Sequence, residues 1–180
     1  MLSAVLNFPV FLAVRSSLHT LRLCGVCGET DPARVKRLFR QWAKNLPSLT
    51  EISLRGMFRL ELDLLLSGLR GPITAIETPV EPPPNFAWLG LPQVCHSLRR
   101  LVVRLCDPAF FYRYSANKEE VKRLMAFYNA LSAYSLPHLE YLEVETTPDQ
   151  TVGDSSFRCL REKLLWKLPS LTELNWRTAL

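Results

Sequence analysis

Only three histidines and seven glycines occur in the 180 residues, and the spacings by which many enzymes hold phosphate, nucleotide, acyl groups or zinc are missing. No G-x-x-x-x-G-K-[ST], G-x-G-x-x-G, G-x-S-x-G or H-E-x-x-H can be found, so the usual glycine cradles, nucleophile elbow and paired-histidine helix are not encoded. His19, His96 and His138 stand at or just before predicted strands, with no carboxylate or cysteine at matching offsets to complete a site. The expectation is a non-enzyme with no catalytic residue, metal or cofactor.

A disulfide framework is not legible either. Five cysteines (Cys24, Cys27, Cys95, Cys106, Cys159) are odd in number and form no framework, and the chain holds no Asn-x-Ser/Thr sequon. Both facts favour a reducing compartment, hence an intracellular protein of cytoplasm or nucleus. Cys24-Gly25-Val26-Cys27 has zinc or redox spacing, but no second pair accompanies it, so Cys24 is read as the end of a strand and Cys27 as part of a turn. Long apolar runs are also missing. Met1 to Val14 has no basic leading region and carries Asn7 and Pro9, so it reads as a bent helix with Leu2, Val5, Leu6 and Leu12 inward, neither signal peptide nor membrane span.

What is abundant is leucine at a fixed spacing. An L-x-x-L-x-L frame recurs at Leu18–Leu23, Leu49–Leu54, Ile73–Thr78, Leu98–Val103, Leu139–Val144 and Leu171–Trp176. Its second half alternates apolar and polar, as a strand with one buried face requires. The first positions lie 31, 24, 25, 41 and 32 residues apart, in the range where internal repeats stack into an array. Leu46-Pro47, Leu136-Pro137 and Leu168-Pro169 precede three frames, where proline ends a helix at little cost to the strand.

These frames resemble the leucine-rich repeat from Leu18 to Trp176, and Cys106, three residues after Val103, stands at that family's Asn/Cys position. Thr147 is a polar substitute there, whereas Val26, Met57 and Glu81 depart from the pattern. The irregular units are most similar to the repeat domains of eukaryotic F-box and ribonuclease-inhibitor-like proteins, although no F-box is visible. The resemblance implies an α/β fold in one domain over residues 1–180: a right-handed solenoid, or horseshoe segment, with about six short parallel strands and helices on the convex side. It implies a substrate receptor of a ubiquitin ligase as one role.

Between the frames, helices are predicted from Asp31-Pro32 with Val35, Leu38, Phe39, Trp42 and Leu46 inward, and from Phe58 to Ser67 with Gly68 as cap. Asn85 is expected to cap a short turn that Pro92 breaks. Asn117 and Glu120 open the longest helix, with Val121, Leu124, Met125, Tyr128 and Leu131 inward. A last helix places Phe157, Leu160, Leu164 and Leu168 inward. The chain stops four residues after Trp176, so the last strand either continues into a longer array, pairs with another subunit or leaves an edge prone to aggregation.

The intervening residues of each frame face the other side of the sheet. There they present Arg22, then Arg55, then Arg100 and Arg104, then Tyr141, Glu143 and Glu145. Strands lie about 4.8 Å apart, so Arg104 is predicted to stand beside Glu145 and neutralise it. The net charge of +5, carried mostly by sixteen scattered arginines, is diffuse. A face of both signs suits a protein partner better than nucleic acid, which needs uninterrupted positive potential. The basic stripe from Arg34 to Lys44 keeps nucleic-acid binding as an alternative. Phe110, Phe111, Tyr112 and Tyr114 either line the underside of an insertion or form an exposed patch that grips a partner.

Overall fold

The computed structural model describes residues 17–24, 40, 44–55, 62–79, 85–104, 116–146, 162 and 167–178. Six strands form one sheet in chain order: β1 (Thr20–Cys24), β2 (Glu51–Arg55), β3 (Ala75–Pro79), β4 (Arg100–Arg104), β5 (Tyr141–Thr146) and β6 (Glu173–Thr178). Every pairing is parallel, and equivalent frame positions align across the sheet, as in Leu21–Ile52–Ile76–Leu101–Leu142–Leu174. The fold class is α/β. Among the described residues, the helical elements with both ends placed are α1 (Leu62–Gly68), a 3₁₀ turn (Ala87–Gly90), the single turn α2 (Pro92–Cys95) and α3 (Ala116–Ala133).

The residues that precede each strand fix this register. One carbonyl, that of His19, Thr50, Thr74, Arg99 or Glu140, accepts two successive backbone N–H groups of the following rung, at 2.8–3.3 Å. Side chains reinforce the same points. The hydroxyls of Thr50, Thr74 and Thr172 donate to the carbonyls of His19, Thr50 and Glu140, and Arg99 pairs with Glu140 at 3.1 Å. A parallel strand lacks a hairpin to set its register, so these repeated bonds take over that role.

Each Leu-Pro-x-Leu closes as a turn, with the N–H of Leu49, Leu139 and Leu171 donating to the carbonyl of Leu46, Leu136 and Leu168. Proline thus occupies the second position of a turn, where its fixed φ is an advantage, several residues ahead of the strand. The leucines on either side are buried in the first two of these turns.

The core lies on one side of the sheet. Leu21, Ile52, Leu54, Ile76, Leu101, Val103, Leu142 and Val144 pack against Leu65 and Leu66 of α1, Trp88 and Leu89 of the 3₁₀ turn, Val94 of α2 and Leu124, Phe127 and Leu131 of α3. Asn85 Oδ1 accepts the Ala87 N–H at 3.0 Å, but the N-cap of the 3₁₀ turn is Phe86, one residue later than expected. Pro92 does not merely break that turn; it occupies the first position of α2, where a missing N–H costs nothing. Gly68 is the last residue of α1, and Gly90 is required by closeness, because a Cβ there would lie 2.4 Å from a ring carbon of Tyr134.

On α3 the inward stripe is Leu124, Phe127 and Leu131, with Tyr128 at its margin, and Met125 is 44% exposed. Phe127 takes the core place because its ring meets Phe86 at 5.2 Å between centroids. The predicted helices after Asp31 and before Leu168 fall almost wholly outside the described residues. Among the described residues no helix is long and apolar enough to cross a membrane.

Candidate functional site

The face of the sheet turned away from the helices carries three aligned rows. The first runs Thr20–Glu51–Ala75–Arg100–Tyr141–Glu173, and the second Arg22–Ser53–Glu77–Val102–Glu143–Asn175. A third row contains Pro79–Arg104–Glu145–Arg177. Strand alternation alone puts these residues together, since every second residue of a strand points the same way.

The centre of this face is built from buried charge. Glu77 is 6% and Glu143 is 7% exposed, either side of the buried Val102. A carboxylate so placed is costly unless paired and hydrogen-bonded. Glu77 accepts the Ser53 hydroxyl at 2.5 Å and pairs with Arg104 Nη2. Arg104 Nε donates to Glu145 Oε2 at 2.6 Å, so one guanidinium on β4 ties β3 to β5. Among the described residues its Nη1 is buried without a hydrogen-bond partner. Burial lowers the pKa of Arg104, but the bonds and charges of Glu77 and Glu145 outweigh that, and the net shift is upward.

Glu143 is held from the other side. The Tyr141 hydroxyl donates to Glu143 Oε2, Asn175 Nδ2 donates to the Tyr141 oxygen at 3.1 Å, and Arg177 Nε lies 3.6 Å from Glu143 Oε1. Asn175 also donates to Glu173 at 2.7 Å. The Arg100 guanidinium sits 5.1 Å from the centre of the Tyr141 ring, a cation–π contact on an exposed part of the face.

Of the residues singled out in the sequence, Arg100, Arg104, Tyr141, Glu143 and Glu145 come together on β4 and β5. Arg22 lies on the same face at the far edge, three strands from Arg100, and is exposed. Arg55 ends β2. Phe111 and Tyr112, with the rest of the aromatic cluster, lie outside the described residues, as do Cys27 and most of the stripe from Arg34 to Lys44. Ser53, Glu77 and Asn175 complete the network without having been singled out as site residues. Their signal was available in the frames, because each stands at the same middle position as Glu143. Among the described residues no three His, Cys, Asp or Glu side chains converge as metal ligands.

The described side chains of the face comprise four cations (Arg22, Arg100, Arg104, Arg177) and five carboxylates (Glu51, Glu77, Glu143, Glu145, Glu173). Despite the basic chain, this face is therefore close to neutral and offers alternating sign, hydroxyls and one aromatic ring. No protein-family model matches the chain, and searches of curated proteins and of solved structures return no match.

Proposed function

We propose that the chain is a leucine-rich-repeat solenoid segment, with its helices on the convex side, that works as a non-enzymatic scaffold and binds a protein partner on the exposed strand face. The carrying observation is the alternation of sign along that face together with the Arg100–Tyr141 platform, a composition that suits protein interfaces. Paired carboxylates run through its centre, which disfavours phosphate backbone. A place in a ubiquitin ligase rests on the resemblance of the frames alone, and co-purification of a ligase adaptor with the chain supports it.

Arg22 and Arg100 are the positions at which to test the reading, because both are exposed and neither forms an ion pair among the described residues. Arg22→Glu and Arg100→Glu are expected to abolish capture of partners in affinity purification with mass spectrometry while leaving Tm within a few degrees of the parent. Unchanged capture by both variants overturns the proposal. Arg104 is a poor probe, since reversing its charge beside Glu77 and Glu145 damages the fold as well. The alternative, nucleic-acid binding through the basic helix stripe, predicts filter-binding affinity that falls steeply with salt, with a slope that counts neutralised phosphates.

A further inference from the structure

Glu51 on β2, Arg100 on β4 and Glu173 on β6 stand in one row of the strand face, all exposed and alternating in sign. Neutral residues separate them, Ala75 on β3 and Tyr141 on β5. Their contacts are with neutral groups: Glu51 accepts the Thr20 hydroxyl at 3.1 Å, Arg100 lies on the Tyr141 ring, and Glu173 accepts an Asn175 N–H at 2.7 Å. Among the described residues none of the three charges is spent in an ion pair.

The neighbouring rows offer less. Ser53, Glu77, Val102 and Glu143 of the second row are buried, and Arg104, Glu145 and Arg177 of the third are tied to carboxylates or to a guanidinium of the network. Arg22 is the exposed cation of the second row. It stands diagonal to Glu51, one strand spacing and two residues away or about 8 Å, which makes Glu51 the weaker of the two acidic positions.

Successive charges in the row are two strand spacings apart, about 9.6 Å. In a polyproline II segment, side chains three residues apart face the same way at about 9.3 Å. A β-strand returns to one face at about 6.8 or 13.6 Å. An α-helix comes near only at seven residues, about 10.5 Å, and by the second interval it is about 2 Å too long and rotated by about 40°. We infer that this row takes a polyproline II segment of a protein partner with the pattern basic-x-x-acidic-x-x-basic. The inference rests on the scaffold reading above and specifies the partner's chemistry. The acidic residue meets the Arg100 guanidinium, whose fork can hold a carboxylate bidentately, and the basic residues meet Glu51 and Glu173. The pattern reads alike from both ends, so either chain direction satisfies the three charges.

The test is selection of a random dodecapeptide library against the full chain, followed by fluorescence anisotropy of the selected peptides. Ligands with the basic-x-x-acidic-x-x-basic pattern are expected. Changing the acidic residue to Gln is expected to weaken binding to the wild type at least about tenfold but binding to Arg100→Gln less than about twofold, with the same coupling between one basic residue and Glu173→Gln. Proline at the intervening positions, which favours the polyproline II conformation, is expected to preserve binding. No ligand, ligands without the pattern, peptide changes that cost as much in Arg100→Gln and Glu173→Gln as in the wild type, or binding lost on proline substitution would each overturn the inference. The scaffold reading falls separately, when Arg22→Glu and Arg100→Glu both leave partner capture unchanged.

Discussion

Arg104 concentrates the stability of the strand face in one side chain. Replacing it with Met removes the guanidinium that pairs with the buried Glu77. Removing one partner of a fully buried pair costs about 3–5 kcal/mol. Arg104 and Glu145 each keep 22% of their side-chain exposure, so water recovers part of that, and about 2 kcal/mol is expected from Arg104→Met. Adding Glu77→Met should return some of the loss, measured as urea midpoints at constant m. Because the folded-state pKa of Arg104 is the higher one, its contribution is complete below the free guanidinium's value. It is lost only as pH climbs through the folded one, beyond any working pH. Stability changes between mildly acidic and mildly alkaline pH should therefore persist in Arg104→Met.

At the scale of the element, α3 separates what periodicity can say from what packing must choose. Leu124, Tyr128 and Leu131 fit a 3.6-residue stripe that can be completed by Met125 on one flank or Phe127 on the other, and both are apolar. The choice falls to Phe127 because the 3₁₀ turn brings Phe86 to it. Phe127→Ala is expected to cost about 3 kcal/mol and Met125→Ala to stay within about 0.5 kcal/mol, read from thermal or urea unfolding. Equal costs would mean that the helix is rotated about its axis. The strands, by contrast, were legible from six frames, since a period of two leaves a single burial pattern for each. Pro92 does end the short turn as expected, and the new helical turn that it opens was not foreseen, because the same ring that ends one helical turn is suited to begin another.

In the whole molecule, six parallel strands in chain order make a sheet whose protection runs from its middle outward. Amides of β3 and β4, paired on both sides, should exchange most slowly, and those of β1 fastest, in native-state hydrogen exchange. The sequence by itself determined the rungs, their parallel order and the meeting of Arg104 with Glu145, because a repeated frame on a pleated strand forces equivalent positions into register. Only the tertiary structure decided that Arg104 also reaches Glu77, that Tyr141 serves Glu143, and that Phe127 rather than Met125 turns inward. Those outcomes depend on how far a side chain extends towards a neighbouring rung and on which ring already fills the space, and spacing along the chain encodes neither.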